Sequence, residues 1–230
     1  LLYREKHPTC RTHRELKEQL YEDIIVNFEK GQMWENALKI CKELAVQFEE
    51  ETFEYNKLGK LHQRMAKLYG NIMDFTLTRP EPEYFRVAFY GRGFPAFLQN
   101  KVFIYRGRGF EKLPDFKMRL LDQFPNAEAM MTLETPSDDV LEKPIQLLQI
   151  NKVDPIMEAE RHRFHGKNVS QQIINYYKVN EVSKFMYSRP YHKDKDKTNE
   201  FASLWLERTV MQTTASFPGI LQWFPLARAP

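Results

Sequence analysis

Two cysteines in 230 residues, Cys10 and Cys41, are too few for a disulfide framework. Cys10 falls in a polar stretch and Cys41 on the apolar face of a predicted helix, so both are expected as free thiols in a reducing, cytoplasmic compartment. Long hydrophobic runs are missing too. No stretch approaches the roughly 20 apolar residues needed to cross a bilayer, so no transmembrane segment is expected. The opening LLYREKHPT lacks the layout of a signal peptide. Charge of one sign is scarce: 34 basic against 31 acidic side chains leave +3, a weak electrostatic footprint that argues against nucleic acid as a partner. Catalytic constellations are absent as well. Gly91-Arg92-Gly93 opens like a phosphate loop, but Phe94-Pro95-Ala96 follows and Gly-Lys-Ser/Thr never appears, so no nucleotide cradle and no cofactor are expected. No Ser or Cys sits in a nucleophile elbow, and no catalytic residue is expected. His162 and His165 lie three apart without the further ligands that a metal site needs. A single Arg106-Gly107-Arg108-Gly109-Phe110 at a strand end reads as a turn, since glycine supplies turn conformations.

What is present is ample apolar surface: 42% hydrophobic residues, with 17 Phe and 11 Tyr. The first third is helical by pattern. Leu16, Leu20, Ile24, Ile25 and Phe28 share one face, and Gly31 stops that helix. Trp34, Ala37, Leu38, Cys41, Leu44, Ala45 and Phe48 recur at three and four, the strongest amphipathic stripe in the chain. Leu58, Leu61, Met65, Leu68, Ile72 and Phe75 make a narrower seam of the kind that packs helix on helix. Arg79-Pro80-Glu81-Pro82 then breaks helix, because each proline removes a donor and disfavours helix before it.

Beyond that break, 87–90 and 101–105 are strand-like runs joined by GRGFPAFLQN. Residues 113–124 place Phe116, Leu120 and Phe124 on one helical face. Residues 132–144 read as a surface loop, and 145–150 as a short strand closed by Pro155. VSQQIINYY at 169–177 fits either helix or strand. VSKFMY at 182–187 alternates as a strand, the charge run at 191–199 reads as a solvated hairpin tip, and FASLWLERTV with the MQTTASF after it reads as one long strand. FPGILQWF is a turn followed by an apolar segment. The expected fold is α+β: an N-terminal antiparallel helical array over 1–79, an antiparallel β-sheet lobe of about five to seven strands over 80–224, and a divergent tail over 225–230.

YGRGFPAFLQNKVFIYRGRGFEKLPDFKMRLLDQFPNAEAM, followed by VNEVSKFMYSRP, NEFASLWLERT and FPGILQWF, resembles the exchange domain of the dedicator-of-cytokinesis (DOCK) family. These are guanine-nucleotide exchange factors for Rho-family GTPases, and the Rac-directed members are the most similar. CKELAVQFEEETFEYNKLGKLHQRMAKLYGNIM fits the same family, so the resemblance covers nearly the whole chain. It implies a helical lobe that mediates homodimerisation in the full-length parent, a β-sheet lobe that binds the GTPase, and a helical bundle that carries a nucleotide-sensor loop. After FPGILQWF the family would continue into that bundle, whereas this sequence runs into PLARAP, which is unlike the family. The resemblance therefore implies part of a GTPase-docking surface with little exchange activity of its own.

For discrimination the resemblance points to the strand at 202–209. Leu204 corresponds to a position that faces a large aromatic in Rac and a smaller residue in its relatives, with Trp205 expected to point the other way. Arg189 and Arg208 are contacts by position. Two other readings compete. One is a scaffold in which the helical stripes pair with another chain. The other is an RNA-binding sheet using Arg92, Lys101, Arg106 and Arg108, which steep salt dependence would reveal.

Overall fold

The computed structural model describes residues 5–157, 163–192 and 204–227, with the side chains at 190–192 and 204–206 outside the description. His162, most of the charge run at 193–199 and the last three residues fall outside it as well. The chain divides into two compact units, Leu1–Arg79 and Pro80–Pro230.

The first unit is helical. Helix α1, His13–Lys30, starts in a capping box: Thr12 Oγ1 accepts from Glu15 N, and the Glu15 carboxylate accepts from Thr12 N. It stops where expected, but Gly31 keeps a negative φ and Gln32 takes the left-handed turn at φ 55°. Helix α2, Trp34–Val46, ends in a single π-helical turn, Gln47–Glu51, and is followed by α3, Tyr55–Met73. All seven apolar positions of the 34–48 stripe are buried, because α2 packs against both α1 and α3. The expected α1 stripe is covered less fully: only Ile25 is buried, and Ile24 stands exposed. The α3 seam holds from Leu58 to Ile72 but does not include Phe75, which is 82% exposed. The helix has already ended at Met73, where Asp74 Oδ1 turns the chain by accepting from Thr76 N. Arg64 fastens α3 to α1 through a forked pair with Glu29 at 2.8 and 2.8 Å, which holds the Glu29 carboxyl below its ordinary range. Cys41, buried between the helices, has its thiol pushed up to about 11 by desolvation.

The second unit is a seven-stranded sheet. Its strands are β1 Tyr84–Tyr90, β2 Lys101–Arg106, β3 Glu128–Ala129, β4 Leu147–Pro155, β5 Val182–His192, β6 Leu204–Phe217 and β7 Trp223–Pro225. The order is β6-β5-β4-β1-β2-β7; the two-residue β3 runs parallel to β4 and every other pairing is antiparallel. The two ends of the sheet meet. Leu226 bridges Thr213, Leu226 N donates to Val102 O, and Ala227 N donates to Gln212 O at 2.7 Å, so the sheet curls almost into a barrel. Pro225 to Ala227, set apart in the sequence as a tail, thus continue the pairing.

YFRVAFY does not alternate because β1 lies centrally, with both faces covered. Tyr84 faces inward with Ile104, Val153, Phe185, Met211 and Phe217. Phe85, Val87 and Phe89 face outward onto Phe116 and Leu120 of helix α4, Leu113–Gln123. The Tyr84 hydroxyl donates to Val179 O at 2.7 Å, which satisfies the one polar atom that this ring carries into the interior. Two short helices complete the unit: α5, Asp138–Leu141, inside the stretch read as loop, and α6, Gln171–Val179, which settles the ambiguous VSQQIINYY as helix.

Candidate functional site

Beyond the curled sheet, β5 and β6 continue as a two-stranded ribbon. β4 meets β5 only at Asp154–Met186 and Pro155–Phe185, whereas β5 and β6 stay in register from Lys184–Gln212 to His192–Leu204. Alternation sorts the side chains into two rows. Phe185, Tyr187 and Arg189 lie opposite Met211, Thr209 and Glu207 on the inner row, which begins in the core at Phe185 and Met211. Met186 and Ser188 lie opposite Val210 and Arg208 on the outer row, where Val210 is 61% exposed.

The three residues singled out from sequence all fall on this ribbon. Arg189 Nε donates to the Glu207 carboxylate directly across the strands, and that bond keeps the guanidinium charged above its ordinary range. Both partners are well exposed, so the pair contributes little to stability. Arg208 is exposed opposite Ser188 and has no ion-pair partner among the described residues. Leu204 pairs with His192 through the backbone at the far end of the ribbon.

A polar chain beside the ribbon involves residues that the sequence pattern did not single out. Gln149 is 1% exposed on β4. Its amide nitrogen donates to Thr132 O and to Glu134 O, both at 3.0 Å, and its oxygen accepts from Arg86 Nη1 at 2.5 Å. The Arg86 guanidinium lies 5.9 Å from the Tyr187 ring centre on β5. Glu134 also acts electrostatically on Arg189. The available signal was a polar residue inside each of two apolar strand runs, YFRVAFY and LLQI, because a buried polar group has to find partners.

The motifs weighed in the sequence have structural employment. Gly91 sits at φ +99°, where a Cβ would stand 2.3 Å from Ile145 O, and the neighbouring Arg92 and Gly93 amides donate to Lys143 O and Ile145 O. The GRG turn is thus a backbone clamp onto the segment that leads into β4. Gly107 N donates to Glu83 O, and Arg108 N to the Glu111 carboxylate, which makes RGRGF a pinned turn. Arg92 pairs with Glu142, and Arg106 donates to Asn180 Oδ1 at 2.9 Å. His165 is exposed, and no group of three or more metal-ligating side chains converges among the described residues. Among them, no helix is long and apolar enough to cross a membrane.

A helical unit and a curled antiparallel sheet with a projecting ribbon define an α+β protein of two units. The family model "DHR-2, Lobe A" matches residues 12–74, and "DHR-2, Lobe B" matches residues 134–216. Human dedicator of cytokinesis protein 4 is 43% identical over 95% of this chain, and human dedicator of cytokinesis protein 3 is 43% identical over 96%. The yeast DOCK-like protein 1 (Saccharomyces cerevisiae) is 26% identical over 90%. The chain belongs to the dedicator-of-cytokinesis family and carries residues of lobes A and B of its DHR-2 region. It spans 11% of the length of each of these three relatives.

Proposed function

We propose that these residues are part of a guanine-nucleotide exchange factor for Rho-family small GTPases of the Rac type, and that the β5–β6 ribbon docks the GTPase. The supporting observation is the ribbon itself. It leaves the sheet beyond Met186 and exposes on one row Val210 and an Arg208 with no ion-pair partner among the described residues, an apolar and a cationic contact for a partner. Exchange needs no covalent chemistry. A protein that binds the nucleotide-free GTPase more tightly than the loaded one must, by linkage, weaken nucleotide binding by the same factor. The family resemblance assigns expulsion to a helical bundle, whereas the matched residues belong to lobes A and B, so the 230 residues tested alone bind without strongly accelerating release. The setting of this reading is cytoplasmic, with 80–224 as the docking lobe and 1–79 as part of a homodimerising lobe. Leu204→Gln is predicted to weaken binding of nucleotide-free Rac about tenfold, or about 1.4 kcal/mol, in a pull-down titration. Unchanged affinity would remove Leu204 from the interface.

A second reading is a self-association scaffold without GTPase binding. It is favoured by the exposed Phe53, Tyr55, Tyr69, Met73 and Phe75 of the helical unit. Light scattering of the chain, alone and then with nucleotide-free Rac, separates the two: the scaffold gives dimers and no co-eluting GTPase.

A further inference from the structure

We propose that Thr135 is a phosphorylation site for a proline-directed protein kinase, and that Arg86 and Arg189 hold the phosphate it receives. Of the 13 prolines in the chain, only Pro136 follows a serine or threonine. Thr135 lies in the irregular stretch between β3 and α5, is exposed, and makes no hydrogen bond among the described residues. The residue before a proline is held out of helix and toward extended backbone, so the hydroxyl is offered on an open segment that a kinase cleft can take up. In the transfer, Thr135 Oγ1 attacks the γ-phosphorus of the kinase's ATP, and the bond from that phosphorus to the β,γ-bridging oxygen breaks. ADP leaves, and the hydroxyl proton passes to the base of the kinase.

Two guanidinium groups stand beside this loop. The Gln149 amide donates to Glu134 O at 3.0 Å and accepts from Arg86 Nη1 at 2.5 Å, so Arg86 lies within about 8 Å of the peptide that joins Glu134 to Thr135. Arg86 is half-buried and has no ion-pair partner among the described residues. Its neighbours there, the Gln149 oxygen and the Tyr187 ring, carry no formal charge. A partly desolvated cation without a counterion gains most from an incoming anion. Arg189 follows Tyr187 on the inner row; it is bonded to Glu207, and the Glu134 carboxylate reaches it electrostatically. Its side chain is 36% exposed, so the pair with Glu207 is weak and exchangeable. A phosphothreonine brings a charge of about −1.5 to −2 and three acceptor oxygens, enough to engage both guanidinium groups. Held there, it draws Arg189 from Glu207 and ties the loop to the inner row, on the face away from Arg208 and Val210, without covering the outer row.

The test uses the 230-residue chain, a purified proline-directed kinase and ATP, and needs no GTPase, so its outcome is independent of the function proposed above. Mass spectrometry is expected to find about one phosphate per chain, on Thr135, retained in Thr135→Ser and absent from Thr135→Ala. Pro136→Ala is expected to slow its addition at least about tenfold. Phosphorus NMR then follows the phosphate. A free phosphopeptide of residues 130–141 carries the same acidic neighbours, so the phosphate on the chain should titrate about half a pH unit below the peptide's, through the arginines alone. Arg189→Gln, an exposed change expected to leave the melting temperature unaltered, should move the midpoint back toward the peptide value, and so should Arg86→Gln. Phosphorylation is also expected to slow hydrogen exchange of the amides at 133–135 about tenfold. No incorporation, or incorporation that Thr135→Ala leaves unchanged, would overturn the site. Titration at the peptide's midpoint, or a midpoint that Arg189→Gln and Arg86→Gln do not move, would overturn the role of the arginines.

Discussion

Glu111 carries one of the more closely packed charges of the sheet unit. Its side chain is 8% exposed, it accepts from Arg119 Nε and Nη2 at 2.6 and 2.9 Å, and it also accepts from Arg108 N. Chiefly through Arg119, its carboxyl is held below the ordinary 4.5. A depressed carboxylate gives its full contribution to stability above its unfolded value and loses it as pH falls through the lower folded one. Glu111→Gln is therefore predicted to cost about 1.5–3 kcal/mol at pH 7, and to flatten the loss of thermal stability below about pH 4.5. Melting followed by circular dichroism at both pH values checks this; an equally steep acid limb in the variant would contradict it. Single residues were unevenly legible in the sequence. Ile25, Cys41, Phe116 and Leu120 announced their burial by spacing alone. The Arg189–Glu207 pair did not, because the two residues are 18 apart and meet only once the β5–β6 register is known. The partners of Gln149 were hidden for a related reason: its donors are spent on carbonyls 15 and 17 residues away.

At the scale of elements, the patterns that sequence displays well are those with one covered face. Helix α4 follows from Phe116, Leu120 and Phe124 at intervals of four, with Pro114 at its first turn, where a missing N–H costs nothing. VSQQIINYY stayed open because paired isoleucines and tyrosines suit a strand as well as a helix; burial of Tyr176 and Tyr177 decides for helix. Closure of the sheet was not legible. The closing strand β7 is three residues long and is supported by single bonds to β2 and β6 contributed by Leu226 and Ala227. The Gly91 clamp provides a test at this level. Gly91→Ala places a methyl group 2.3 Å from Ile145 O at a left-handed φ, so the strand entry must shift. A loss of about 1–3 kcal/mol is predicted from the strain alone, measured by urea denaturation. Wild-type stability would mean that the turn does not anchor the segment before β4. For the ribbon, Arg208→Glu reverses an exposed charge that has no ion-pair partner among the described residues, and is predicted to leave the melting temperature within about 1 °C, since surface substitutions change stability little. Its effect should fall on Rac binding, weakened about tenfold in the same titration.

The whole chain combines a helical unit, a curled sheet and membership of the dedicator-of-cytokinesis family, over 11% of the length of such relatives. Its α+β class and its family were both available from long ordered segments of sequence, which no short motif would have supplied. The ribbon as a projecting element was not, since strand pairing decides how far β5 and β6 outrun β4. The central claim is that this ribbon recognises a Rho-family GTPase stripped of nucleotide. Titration calorimetry of the chain into nucleotide-free Rac tests it most directly. Saturable heat with one GTPase per chain, reduced by Leu204→Gln and abolished when the GTPase is reloaded with nucleotide, is the predicted result. No heat with Rac or with any other Rho-family GTPase would contradict it.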